Sequence, residues 1–394
     1  MALNTISSDR LSTNVKNTNF TTAEKQDLTN DILPLATQFG QSKNLIINGA
    51  MQIAQRGTTY TGANQFATVD RFSINHTGLN EDLTTAQADI SSGTTPYTLG
   101  FRKSFKITNG NQSAGAGSGD HIYISQKMEA QNIATSGWNY LSSSSNITLS
   151  FWVKSSVAQN FYGYLISKDG SSYLYPFETG SLTADTWTLV TKTLPGNSNL
   201  TFNNDNGTGF ELVIAPFFGT DKTGSVSLNA WGAYNSSVRM PDNTSTWYTT
   251  NDATFEITGV QLEVGSVATD FEHRSFAVEE RLCQRYYFRQ SAEHQYMRYG
   301  CHGQTPSANG AQYVYQLPVR MRATPTLGYS QLSDFFIYAG NLQSKTPTSM
   351  AMDAVSTISP MFNAAKSSTF TGGQMAHLTV PNANQGYLEF IAEL

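Results

Sequence analysis

Ile147-Thr148-Leu149-Ser150-Phe151-Trp152-Val153-Lys154 sets apolar and polar side chains in turn, without the helix-face spacing of about 3.6 residues, and so reads as a strand with one side in a core. Thr188-Leu189-Val190 and Phe255-Glu256-Ile257 have the same texture. Outward from these, short runs predict strands at Leu45–Ile47, Arg71–Ile74, Arg102–Thr108, His121–Met128, Tyr162–Ser167, Thr186–Thr193, Gly209–Pro216 and Ala253–Val264. Gly115–Asp120, Leu141–Asn146 and Asn203–Gly209 are rich in turn formers and read as surface loops. Strands at this spacing predict a β-sandwich over residues 44–268. The chain has no repeat of fixed period, which argues against a β-helical shaft.

At roughly 100–200 residues per domain, 394 residues accommodate two or three domains. Only 13% are charged, while Ser, Thr and Asn together reach roughly 30%, so the surface is polar but uncharged. With 39% apolar residues and a net charge of −5 the chain folds. Its 22 Phe, 19 Tyr and 5 Trp favour pleated surfaces, which makes all-β the fold class. No Lys/Arg-rich run offers a stripe for phosphates, so nucleic acid is not an expected partner. No apolar stretch approaches the roughly 20 residues that cross a bilayer, and Met1–Arg10 lacks a basic segment followed by an apolar one. Neither a leader nor membrane insertion is therefore expected. Cys283 and Cys301 are too few for an oxidised framework and read as reduced, structural thiols of a protein assembled in a cytoplasm.

The two ends differ in texture from the middle. In residues 1–43, Thr21-Thr22-Ala23-Glu24 offers a capping box, and Leu28, Ile32 and Leu35 form an apolar stripe that Pro34 kinks. This is a short helical arm that must lie on something else; it reads as an attachment arm, with a frayed terminus as the alternative. At residues 269–289, Ser275 caps a predicted connector helix with Val278, Leu282 and Tyr286 on one face and Glu279, Glu280 and Arg281 outward. Residues 290–394 read as a second, smaller β-sandwich, with runs at Tyr296–Gly300, Tyr313–Met321, Phe335–Tyr338, Met375–Val380 and Tyr387–Ala392. The last run should be tied into a sheet.

Catalytic constellations are missing from the sequence. The Gly115, Gly117, Gly119 series has no lysine after it and no strand-to-helix unit around it. Cys301-His302 lacks a second ligand pair, and Cys283 lies on the connector helix, so neither metal nor cofactor is expected. Glu81, Asp82, Asp205, Glu211, Asp221, Glu263, Asp270 and Glu272 form no recognisable acid pair of the kind that cleaves polysaccharides. What stands out is aromatic and hydroxyl-rich. Sugars stack their C–H faces on rings and hydrogen-bond to neutral polar groups. Trp138, Tyr140, Trp231, Tyr234 and Trp247 fall in predicted loops and are the candidate carbohydrate-binding residues; a neighbouring subunit is their alternative partner. The strand rings, Tyr173, Tyr175 and Phe177 on one side and Tyr162 and Tyr164 on another, are expected in the core.

Two segments carry a resemblance to a known family. Asn44-Leu45-Ile46-Ile47-Asn48-Gly49-Ala50-Met51-Gln52-Ile53-Ala54-Gln55-Arg56-Gly57, with Val69-Asp70-Arg71-Phe72, resembles the start of a β-sandwich domain of tailed-phage fibre proteins. Gly259–Arg274, followed by Leu282-Cys283-Gln284-Arg285-Tyr286-Tyr287, resembles its end. Together they bracket about 240 residues. The interior strands also resemble the jelly-roll carbohydrate-binding modules of glycosidases. Such modules often hold calcium through an acidic residue soon after the opening Asn-Gly, where this chain has Ala50 and Met51.

The resemblance implies a phage tail fibre, a homotrimer in the virion tail assembled in the host cytoplasm. It would bind other tail or virion proteins through residues 1–43, with Leu28, Ile32 and Leu35 as the attachment residues, and a host-surface glycan distally, without being an enzyme. The alternatives are a tailspike that depolymerises polysaccharide, and a structural tail adaptor or head decoration protein.

Overall fold

The structure, a computed structural model, describes residues 43–394 except 64, 300, 341–342, 367–369 and 382–385. The arm with Leu28, Ile32 and Leu35 lies outside the described residues. Twelve strands build the first sandwich: β1 (Thr59–Thr61), β2 (Ser73–Thr77), β3 (Thr84–Asp89), β4 (Lys103–Thr108), β5 (His121–Glu129), β6 (Asn146–Ser155), β7 (Asn160–Ser167), β8 (Tyr173–Ser181), β9 (Thr188–Pro195), β10 (Thr208–Phe218), β11 (Gly232–Ala233) and β12 (Thr254–Val264). They form two antiparallel six-stranded sheets, ordered β1-β3-β4-β12-β6-β9 and β11-β8-β7-β10-β5-β2. The all-β class and the jelly-roll sandwich expected from the sequence are what the chain forms.

The alternation in β6 is the reason for the layering. Ile147, Leu149, Phe151 and Val153 are all fully buried, and they meet Phe255, Ile257, Val260 and Leu262 of β12 and the inner rings of the second sheet in one cluster. β12 carries a bulge between Thr258 and Gln261. Gly259 sits there with φ 62°, and a Cβ on it would lie 2.7 Å from the Phe101 ring, so only glycine fits.

The first and last segments of this sandwich are laced together by side chains. Asn44 Nδ2 donates to the Val260 carbonyl (3.0 Å), and Asn44 Oδ1 accepts from Leu262 N (3.0 Å). A Cβ on Gly49 would lie 2.1 Å from the Val260 oxygen. Leu45–Ile47, expected as a strand, is therefore not one: its polar atoms are engaged by side chains, among them Gln126 and Arg274, as well as by Leu262. The strand expected from Arg71 begins at Ser73, because Arg71 takes φ 71°.

The connector helix runs Phe276–Gln284 with Ser275 at the N-cap position, but the Ser275 side chain makes no capping hydrogen bond and a different face points inward. Glu279 and Cys283 are buried, whereas Val278 is 49% exposed. Glu279 accepts from Asn48 N (2.5 Å) and pairs with Arg274 (3.3 Å). A buried carboxylate with two donors outcompetes an apolar stripe for the inward position. Cys283 is a free, packed thiol whose pKa burial pushes up.

Beyond the helix come β13 (Tyr287–Ser291), β14 (Cys301–Ser307), β15 (Gly310–Tyr315), β16 (Thr326–Tyr329), β17 (Phe336–Ala339), β18 (Gln343–Lys345), β19 (Ser349–Met352), β20 (Met361–Ala365), β21 (Gln374–Thr379) and β22 (Tyr387–Ile391). They form a three-stranded sheet, β13-β22-β16, and a seven-stranded one, β18-β17-β21-β14-β15-β20-β19. Tyr313, Phe335, Ile337, Phe362, Leu378, Leu388 and Phe390 fill their core. The final strand is the middle of its sheet, as expected. Tyr296, expected to open a strand, has φ 60°, and only an isolated bridge between Arg298 and Thr379 follows it.

Residues 44–394 form one compact unit. The contact between the two sandwiches is dense and polar. Arg285 grips Glu129 with two bonds of 2.7 Å while Tyr286 Oη donates to it at 2.6 Å. Burial pushes the Glu129 carboxyl up, but these bonds and the Arg285 charge outweigh it and hold the group below the usual glutamate range. Glu393 pairs with Arg71 and with Arg56 (3.2 Å), and Arg322 donates to the Ala392, Glu393 and Asn206 carbonyls.

Two expectations follow. Trp247 is fully buried and donates from Nε1 to the Thr254 carbonyl (3.0 Å), so Trp247→Ala should cost about 3–5 kcal/mol of stability in denaturant unfolding. An unchanged midpoint would remove Trp247 from the core. Asp70, beside Arg56 and Gln55, has its pKa raised from 3.8 to about 6, chiefly by burial, against the opposing Arg56 charge and Gln55 bonds. The folded state then binds this proton more tightly than the unfolded chain, so stability from this group grows as pH falls through 6. Between pH 7 and pH 5 the wild type should gain about 1 kcal/mol relative to Asp70→Asn. Parallel pH profiles for the two proteins would contradict the burial argument.

Candidate functional site: an aromatic face on the second sheet

Strand alternation gives the second sheet two apolar faces. Ile122, Ile124, Phe161, Leu165, Phe210, Leu212 and Ile214 point into the sandwich. Their sequence neighbours, Tyr164, Ile166, Val213, Ala215 and Phe218, with Tyr123 and Tyr162 partly buried, form a separate cluster on the outside. Met240, from the segment after β10, packs on this cluster and covers part of it.

The registers line the rings up. Asn75 of β2 opposes Tyr123 of β5, His121 opposes Phe218 of β10, and Ala215 of β10 opposes Tyr162 of β7, which opposes Glu178 of β8. The Tyr123 and Phe218 rings stack at 5.3 Å and 18°, and His121 stacks on Phe218 at 5.5 Å and 26°. The Arg239 guanidinium lies 5.8 Å from the Phe218 ring centre and 5.7 Å from that of Tyr234. Its Nε is buried with no protein partner. At the rim Glu211 pairs with Lys168 (2.8 Å) and Asn160 Nδ2 donates to Glu178 (2.7 Å).

The His121 imidazole and the Tyr123 and Tyr164 hydroxyls of this face are uncharged at neutral pH, beside the charged Arg239 guanidinium and the Glu211–Lys168 pair. Burial lowers the His121 pKa, against a bond to the Gly119 carbonyl, and the charges of Arg239 and Lys222 push the same way. Burial likewise raises those of Tyr123 and Tyr164. The result is a platform of rings with protonated hydroxyls and amides at its margin, suited to a neutral polyhydroxylated ligand.

The five sequence candidates divide. Trp138 is 3% exposed, donates from Nε1 to the Ser145 carbonyl (3.2 Å) and packs against Phe202 and Phe210. Trp138 and Trp247 are thus core residues and present no face to a ligand, which corrects their assignment as sugar-binding loop residues. Both turns fold back so that the indoles plug the space between the sheets. Tyr140 and Trp231 are half-buried around the same Phe202 and Phe210 rings, with Trp231 Nε1 donating to the Pro195 carbonyl (2.7 Å). Tyr234, 37% exposed, lies apart from them, over Arg239. Tyr162, read as core, is instead only partly buried on the outer platform. His121 and Tyr123, which are not among the sequence candidates, flank Ile122, a pattern of rings and aliphatics in alternation that marks a strand with two apolar faces.

The carboxylates have structural partners: Glu81 accepts from Asn111 N, Asp205 from Gly207 N, Asp221 from Ser118 Oγ and Glu263 from Thr269, and Glu272 pairs with Arg274. Among the described residues no group of three or more His, Cys, Asp or Glu side chains is placed to hold a metal ion.

No family model matches the chain, and no curated protein matches it. Several solved structures are similar to it. The enzymatically active domain of tailspike protein 4 of bacteriophage CBA120 matches at 11% identity and a TM-score of 0.29, over 57% of this chain and 22% of that one. A CBM4 structure matches at 14% identity and 0.29, over 57% and 100%. The family 11 carbohydrate-binding module of Clostridium thermocellum, in complex with a mixed-linked tetrasaccharide, matches at 10% identity and 0.24, over 54% and 98%.

Proposed function

We propose that the protein is a non-catalytic adhesin of a tailed-phage virion, a tail-fibre component that binds host-surface glycan on the outer face of its second sheet. The observation that carries the binding role is the platform of partly buried rings, His121, Tyr123 and Tyr162, edged by amides, with His121 and Tyr123 stacked on the buried Phe218. The motifs at Asn44–Gly57 and Gly259–Arg274, similar to those of fibre proteins, support the virion assignment. A shallow platform of this kind binds one sugar chain weakly. Linking copies turns later contacts into intramolecular ones, which a homotrimer displayed several times on a particle would provide.

The test is binding of neutral host-surface oligosaccharides to the purified chain and to Tyr162→Ala. Loss of one stacking ring should weaken binding roughly three- to tenfold while leaving the unfolding midpoint nearly unchanged. Equal affinity of the two proteins would move the site elsewhere. New reducing ends after incubation with host polysaccharide would instead identify a depolymerase. Sedimentation should find three chains per particle, and a stable monomer would count against the fibre assignment.

A further inference from the structure

Between β1 and the three-stranded sheet lies a groove of about 470 Å³, lined by Arg56, Tyr60, Phe66, Arg289, Tyr387 and Glu389. Its volume is in the range that takes a small ligand. Two guanidinium groups lie flat on rings along it: Arg56 over Tyr287 at 3.4 Å, and Arg289 over Tyr387 at 3.5 Å.

The two cations are not equivalent. Arg56 is neutralised by Glu393 (3.2 Å) and lies 3.9 Å from Asp70. Arg289 donates from Nη1 to the Arg56 carbonyl (2.9 Å), and its Nε is buried with no protein partner. Glu389 is its cross-strand neighbour, yet that carboxylate accepts from Tyr287 Oη (2.5 Å) rather than pairing with it. The groove therefore offers a stacked guanidinium without a carboxylate partner, a carboxylate acceptor beside it, and the ring of Tyr60, 39% exposed.

We infer that this groove is a second saccharide site, distinct from the outer-sheet platform, that takes a sugar unit bearing a carboxylate or phosphate. The anionic group would meet Arg289, whose planar fork suits either oxyanion. A ring hydroxyl would donate to Glu389, and the sugar body would lie against Tyr60.

Calorimetric titration of the full chain tests this with three probes: a glucuronate-containing disaccharide, the same disaccharide with its carboxylate reduced to the alcohol, and glucose 6-phosphate. At least one acidic probe should bind ten times or more tighter than the neutral one, and Arg289→Gln should abolish the difference. Which acidic probe binds tells carboxylate from phosphate. Tyr60→Ala, on an exposed edge strand outside the ion network, should weaken the same probe several-fold and covers the case in which Arg289→Gln fails to fold. Tyr162→Ala should leave acidic binding intact, which separates this site from the platform. Equal binding of acidic and neutral probes, no binding of either acid, or undiminished acid binding by a folded Arg289→Gln would each overturn the assignment.

Discussion

A buried carboxylate on the connector helix decides how the chain closes. Glu279 reaches the backbone N–H of Asn48 and the Arg274 guanidinium, which in turn donates to the Asn44 and Ile46 carbonyls. Asn48 itself donates to the Ile53 and Asp70 carbonyls. One network thus fixes the entry to the first sandwich, its exit and the helix that leaves it. Removing the Arg274 guanidinium would leave the buried Glu279 carboxylate without its cation, at a cost of about 3–5 kcal/mol. Of these groups, Asn44, Ile46, Asn48 and Arg274 fall in the segments that resemble fibre proteins, and Glu279 does not. Their chemistry is closure of the sandwich, so their presence speaks for the fold and leaves binding to other surfaces.

The same logic holds the second sandwich. Glu129 ends β5 and is fully buried, yet Arg285, Tyr286 and Gln131 saturate its oxygens. Arg71 stacks on Tyr286 at 3.5 Å while pairing with Glu393. A contact built from directional bonds has fewer alternative arrangements than an apolar one. Residues 44–394 are one compact unit, and the groove between β1 and the three-stranded sheet lies within it.

What the sequence shows is what depends on near neighbours. β6 and β12 are legible because their alternation is strong and both sides of each residue pair lie in the strand. β3 is missed because Thr84–Asp89 has no large apolar residue, its strand character coming from β1 and β4 on either side. Trp138 and Trp247 sit among turn formers, which reads as loop and therefore as surface. Their burial depends on distant partners: Gln159 Oε1 accepts from Trp247 N across 88 positions. The inward face of the connector helix is illegible for a related reason. An apolar stripe at Val278 and Leu282 is the sound expectation unless Asn48 and Arg274 are known to wait for Glu279. The platform was half-visible, since Tyr162 and Tyr164 alternate openly, but only the β5–β10 pairing brings His121, Tyr123 and Phe218 together.

These placements divide the chain's polarity by distance from the seam between the sandwiches. The sequence has few charges, and many of its buried ones, Arg56, Asp70, Arg71, Glu129, Arg285 and Glu393, are gathered there. Ionic bonds of this kind are strong where water is excluded and weak where it is not, so the seam is where they contribute most. The outer face of the second sheet is mostly rings, hydroxyls and amides, groups that salt does not screen, with Arg239 and the Glu211–Lys168 pair among them. Arg289 is the exception that gives the groove its interest. It stands at the edge of the seam, stacked and charged, but without the carboxylate partner that Arg56, Arg71 and Arg285 have.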